Sequence, residues 1–330
     1  MKKELGIFAL LAILCIIISA SNPNFLTATN LQNLGRLIGA YGIFSLGLGL
    51  VIITGGIELS VGSMMALLGV LLSMMLTELG WPPLLAVTCC IVIAALLELI
   101  NGLLITRGNM LPFIVTLCGL LLYRGAARFI TDDETKGLGA DTNFEGLRFL
   151  AGGYLFGVPM PFVILLVTGA VLWVVLHRSA YGRYLFATGR NAEAARYAGI
   201  NTRLVITLAY VACGILTAIS AIIFAFYTNS ISPASHGNFY ELYGIAAAVL
   251  GGCSLRGGEG SVVGVLIGTA LLQVLRNLVN LLGIPSSLDF AVMGAVILLG
   301  VLADQIFKER RNRRQVTQMR ESAKSDIAPV

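Results

Sequence analysis

The sequence predicts an all-α protein, a polytopic membrane helix bundle of about ten transmembrane helices with both termini cytoplasmic. Three observations predict it. Of 330 residues, 57% are hydrophobic and 12% charged, where a soluble domain carries about a quarter charged residues. Apolar stretches long enough to cross a hydrocarbon core of ~30 Å recur along the whole chain. The connections between them, about 30 residues at the longest, leave no room for a separate domain of roughly 50 to 250 residues. A water-soluble protein is thereby excluded, and whatever the chain does happens within or across the bilayer.

Taken in order, the apolar stretches run at 5–21, 36–54, 61–78, 84–106, 111–129, 160–177, 204–227, 241–256, 261–282 and 288–304. Two of them depart from a plain span. The stretch 111–129 carries Arg124 and Arg128 near its end, and 241–256 is short and rich in Gly and Ala; either is a candidate for a broken or tilted helix. Residues 1–305 form the transmembrane domain, and 306–330 a polar, basic cytoplasmic tail, expected to be disordered and drawn to the inner membrane lipid.

The net charge of +5 is topological and does not signal nucleic acid. With the amino terminus inside, Lys2, Lys3, Arg107, the arginines from Arg178 to Arg203, Arg256 and the cations of the tail all fall on inner segments. Arg36, Arg124, Arg128, Lys136, Arg148 and Arg276 fall at or near the outer boundary. That asymmetry is the positive-inside pattern of a multi-pass protein of the bacterial inner (plasma) membrane. The outer loop 130–159 is net acidic, through Asp132, Asp133, Glu134, Asp141 and Glu145, and its stretch Phe144 to Phe156 suits a short surface helix or turn. It reads as a solvated loop with an interfacial anchor or as a docking face for an outside protein.

Candidate catalytic and metal-ligating groups are missing from the sequence. The six cysteines lie in or beside apolar segments without a Cys-x-x-Cys pair, only His177 and His236 could assist a metal, and no Ser/His/Asp spacing stands in the loops. No Gly-x-x-x-x-Gly-Lys-Ser/Thr phosphate loop occurs, so the chain cannot hold ATP by that device and is read as free of cofactors of its own.

The inner loop 178–203 is the most informative connection. Asn191 can cap a helix, Glu193 sits in its first turn where the dipole favours an anion, and Gly199 can take the left-handed position that ends it. Two turns are marginal in water alone and need a surface to pack on. Ala192, Ala194, Ala195 and Ala198 allow a close approach, either by a cytoplasmic partner or by the protein's own spans. Between spans two and three, Gly55, Gly56, Glu58 and Gly62 place a carboxylate near membrane depth, as part of a loop or of a pathway. Glu98 and Asn101 share a helix face in span four, as interhelical glue or as the lining of a polar route. Gly251 and Gly252 begin a glycine-rich connection that reads as a flexible inner hinge.

Together these segments resemble the permease subunits of bacterial ABC importers of the ribose, arabinose, xylose and autoinducer-2 class. The resemblance covers about residues 5–305 and rests on Gly55 to Gly62, on Asn101-Gly102 followed by Pro112 to Leu117 and Arg124-Gly125, on Tyr181 to Ile200, and on Gly251 to Gly268. Glu193-Ala194-Ala195 with Gly199 looks like the signature by which such permeases engage their ATPases, which assigns Asn191, Glu193, Ala194, Ala195, Arg196 and Gly199 to coupling. It implies a second permease copy or a sister permease, a cytoplasmic ATPase that carries the ATP and Mg, and a periplasmic sugar-binding protein. Glu58 stands where the family usually has Asp, Tyr243 where an acid is usual and Glu259 where Arg is common, so the resemblance does not imply which sugar. The competing class is an ion-coupled secondary transporter of a small polar solute, which would want several charges deep in the spans. By sequence only Glu98 is clearly deep.

Overall fold

The computed structural model describes residues 2–139 and 144–285 and scattered positions from 288 to 298. Two compact units divide the chain at residue 281, and the account below is of the first. The expected tenth span, 288–304, and the tail, 306–330, lie outside the described residues but for those scattered positions.

The first unit is helical. It comprises α1 (Lys2–Ser21), α2 (Ala28–Ile53), α3 (Val61–Thr77), α4 (Pro83–Thr106), α5 (Pro112–Ile130), α6 (Glu145–Gly152), α7 (Met160–Arg178), α8 (Ala180–Arg190), α9 (Ala192–Tyr197), α10 (Thr202–Thr228), α11 (Tyr240–Leu250) and α12 (Val262–Leu281). The two-residue strands β1 (Tyr154–Leu155) and β2 (Val158–Pro159) make a small antiparallel hairpin after α6. Among the described residues seven helices, α1, α2, α4, α5, α7, α10 and α12, are long and apolar enough to cross a membrane.

Four expectations change. The stretch 111–129 forms one unbroken helix, α5. Helix α2 starts at Ala28 instead of near 36, because the Thr27 hydroxyl caps it by accepting from the Asn30 N–H at 3.4 Å, so a polar first turn can be helical. The stretch 241–256 shortens to the 11 residues of α11, about 16 Å at 1.5 Å per residue. It stops where Gly252 adopts φ +95°, and its Gly251 is wedged against the Gly264 carbonyl of α12. The inner loop carries a second helix, α8, whose start is capped by Ser179 Oγ accepting from the Gly182 N–H at 3.3 Å.

Most of α2 and α10 is buried, while α1, α4, α5 and α7 turn apolar faces outward. Small residues let the inner helices meet: Gly214 of α10 lies against the Ala94 carbonyl of α4 at 2.6 Å from an added Cβ, a spacing that only glycine allows.

The connections sort into two groups at opposite ends of the bundle. At one end the Gly258 N–H donates to the Ile53 carbonyl at 2.8 Å, Gly189 packs on the same carbonyl, and Ser261 donates to Glu4 at 2.5 Å. At the other, Lys136 bridges Ile231, its ammonium meets Glu78 at 3.0 Å, and Asn22 donates to the Leu281 carbonyl at 3.1 Å. The grouping follows the alternation expected from the basic residues.

Candidate functional site

Two places bring the singled-out residues together. The first is α9, at the end of the bundle that holds Gly55 and Gly258. Asn191 is extended, and its Oδ1 accepts from the Ala194 N–H at 2.9 Å. Gly199 ends the helix at φ +86° with nothing within 4 Å of an added Cβ. Both caps follow the local rules for helix ends. Within the helix Ala195 is buried against the chain itself, whereas Ala192, Glu193, Ala194, Arg196 and Ala198 are exposed and Tyr197 is 84% exposed. The result is a short, fixed helix with one side anchored and the rest presented.

The second place lies inside the bundle, about midway along α10. After α2 ends, Gly55 takes φ +83° and residues 56–60 run as a non-helical strip between α5 and α10. Thr116 Oγ1 donates to the Ile57 carbonyl at 3.1 Å, Tyr210 reaches the same carbonyl at 3.4 Å, and Ser60 sits against Gly119, 3.1 Å from an added Cβ. Helix α3 therefore begins deep inside. Its start meets the turn before α11: Gly62 and Gly237 touch backbone to backbone, and the Glu241 carboxylate accepts from the Gly62 N–H. Arg124 holds that turn by donating to the Pro233 carbonyl at 3.0 Å and the His236 carbonyl at 2.7 Å. Two helices shorter than a full span, of 17 and 11 residues, thus start toward one another within the apolar interior, each with a carboxylate at its amino end, where the helix dipole favours negative charge.

Glu58 and Glu98 face one another across Ser60. Both are fully buried. Glu58 Oε1 accepts from the Ser60 N–H at 2.5 Å and from its hydroxyl at 2.6 Å, and that hydroxyl lies 3.4 Å from Glu98 Oε1. Asn101 Nδ2 donates to Glu98 Oε1 at 3.4 Å, and Tyr123 donates to Asn101 Oδ1 at 3.4 Å. The second oxygen of each carboxyl is buried without a hydrogen bond, and no lysine or arginine is among the partners. A polar strip of this kind inside an apolar bundle is costly and marks function more often than packing. It corrects the expectation that only Glu98 is deep, because Glu58 and Glu241 are buried as well. Gly251 and Gly252 are not part of this strip and lie at the end of α11. Among the described residues no group of three or more His, Cys, Asp or Glu could hold a metal ion.

Residues 30–301 match the family model described as the permease component of branched-chain amino acid transport systems. The chain belongs to that family. A ribose import permease of Bacillus subtilis is 42% identical to this permease over 304 residues, which cover 92% of the chain and 93% of that protein. A fructose import permease of Rhizobium meliloti is 35% identical over 289 residues, 85% of the chain and 79% of that protein. A permease of the autoinducer 2 import system of Klebsiella pneumoniae is 31% identical over 314 residues, 93% of the chain and 92% of that protein. No solved structure matches significantly. The resemblance read from the motifs is thereby confirmed: the chain is an importer permease, an integral inner-membrane protein and a transport component instead of a catalyst.

Sequence reasoning missed the Glu241 link to Gly62. The available signal was the placement of a Glu within three residues of the start of each short apolar helix, Glu58 before Val61 and Glu241 second in α11.

Proposed function

We propose that this permease is the membrane-spanning subunit of an ATP-driven ABC importer that brings a monosaccharide or related small sugar into the cytoplasm by alternating access. The names of its relatives support the substrate class. The single observation that carries the drive is α9, capped at both ends and presenting Glu193, Arg196 and Tyr197 outward. In this reading an ATPase with its ATP and Mg grips α9 from the cytoplasm, a loaded sugar-binding protein docks on the outer loop 130–159, and a second copy or sister permease completes the route. ATP-driven closure moves α9 and, through α8 and α10, biases which side the interior opens to. Gly55, Gly56, Glu58, Gly62, Glu98 and Asn101 lie where the route would pass, and Gly251 and Gly252 where the inner end would bend.

The test is Glu193→Lys, which sets a cation at the amino end of α9 at a cost of roughly 0.3 to 1 kcal/mol and reverses its surface charge. It should insert and express normally, yet lose uptake and recovery of the ATPase on pull-down. Wild-type uptake at equal expression would make α9 a mere connector. The buried acids Glu58, Glu98 and Glu241 favour one other reading, an ion-coupled transporter. If a proton uncoupler stops uptake while ATP depletion does not, that reading replaces this one.

A further inference from the structure

A groove lies between the end of α4 and the start of α10, lined by neither the buried acids nor residues of α9. The two helices run antiparallel here, joined by the Thr106 and Thr207 hydroxyls at 3.2 Å. The groove encloses about 520 Å³ and is lined by Leu99, Leu103, Leu204, Thr106, Thr207, Asn201, Arg107 and Arg203. Its lining has a polarity gradient. The leucines on the membrane side are only partly covered, and Leu204 is 54% exposed. The two arginines stand on the helix ends, exposed, and neither has a carboxylate partner among the described residues. The lining holds no acid. Asn201 caps α10 by accepting from the Leu204 N–H at 3.1 Å, so the positive end of a 27-residue helix also points to this rim.

We propose that this groove binds one anionic phospholipid, its phosphate held by Arg107 and Arg203 and one acyl chain laid over Leu99, Leu103 and Leu204. Guanidinium groups with no carboxylate partner among the described residues, above an apolar channel, fit a phosphate joined to a hydrocarbon tail. A water-soluble acidic protein could pair with the arginines but has nothing to place among leucines at membrane depth. A bound lipid would tie α4 to α10, the helix that leads directly on from α9.

The experiment uses the full-length permease in nanodiscs of phosphatidylcholine with a tenth part phosphatidylglycerol, followed by extraction and mass spectrometry of retained lipid. The wild type should retain phosphatidylglycerol well beyond its share. Arg107→Gln with Arg203→Gln should lower that preference by roughly 30-fold, the ratio that about 1 kcal/mol for each surface cation implies. Leu103→Trp, which leaves both arginines, should lower it as well by filling the chain channel. Both changes are at exposed or partly exposed positions, and unchanged helical circular dichroism checks the fold. Equal retention by wild type and the double variant overturns the proposal. So does thermal stabilisation by inorganic phosphate as large as that by phosphatidylglycerol, since the ligand is then a soluble phosphate. Unchanged lipid with loss of the co-purifying ATPase in the double variant would assign the rim to the ATPase instead.

Discussion

Helix α9 and the junction of α3 with α11 are both short-helix devices, and they are built in opposite ways. Helix α9 is held by two local caps and one buried alanine, and everything else on it faces outward. The junction is held chiefly by contacts between residues far apart in sequence, Ser60 with Glu98, Gly62 with Gly237, Glu241 with Gly62. The difference teaches where each can be changed. A helix fixed by its own ends can lose a side chain without disturbing the bundle, whereas a junction fixed by mutual burial transmits any change into the fold.

The largest effect should therefore come at the junction. Gly62→Val puts side-chain atoms into the Gly237 carbonyl and the Glu241 carboxylate, an overpacking that costs about 3 kcal/mol or more because backbone must move. Solubilised protein should show a sharply lowered melting temperature or no folded fraction, and a wild-type melt would mean the two helix starts are not in tight contact. Next comes Glu58→Ala, which strips the Ser60 N–H of its acceptor and leaves its hydroxyl only the longer contact with Glu98, at a cost of roughly 1 to 3 kcal/mol. Glu58→Gln keeps an acceptor for Ser60 and offers a donor toward Glu98, so its melt should match or exceed that of the wild type. If the two variants melt alike, the hydrogen bonds of the strip carry no stability.

At α9 the same measurements should separate. Gly199→Val forces a β-branched residue to φ +86°, about 1 to 2 kcal/mol of strain, confined to a helix that contributes little to the bundle. Its melting temperature should stay near the wild type while transport-linked ATP hydrolysis falls, and a large drop in melting would show α9 to be part of the core. The smallest effect belongs to Asp133, whose carboxyl Arg128 holds below its usual range at 2.6 Å. Any stability from this exposed pair is present above the ordinary carboxylate pKa and lost on acidification, and Asp133→Ala should leave the melt unchanged at neutral pH.

The two regions also differ in how far the sequence exposed them. Asn191 and Gly199 were readable because a cap is a rule about four adjacent residues. The apolar runs of α1, α4, α5, α7, α10 and α12 were readable to within a few residues at their starts and ends because length and hydropathy decide a span. Helix α8 was not, since Arg183 and Arg190 made it look like a polar connection, and its stability comes from Leu185 and Gly182 packing on the bundle. The burial of Glu58 was not either, because it depends on residues 56–60 passing between α5 and α10, a path that only the tertiary fold sets. Nor could a pairing 179 residues apart, between Gly62 and Glu241, be seen in one sequence without its fold.

The brevity of α11 bears on how the chain is made. Eleven residues are about half of what a segment needs to partition into the bilayer unaided. As the ribosome delivers it, α11 has no independent reason to leave the aqueous channel, and it acquires one only when α10 is already in place and α12 has emerged to cover its alanine face, where Gly268 of α12 meets the Ala247 carbonyl. The three should enter as a unit. Chains truncated after residue 260 and released into the membrane should therefore leave α11 accessible to protease, whereas chains that extend beyond Leu281 should protect it.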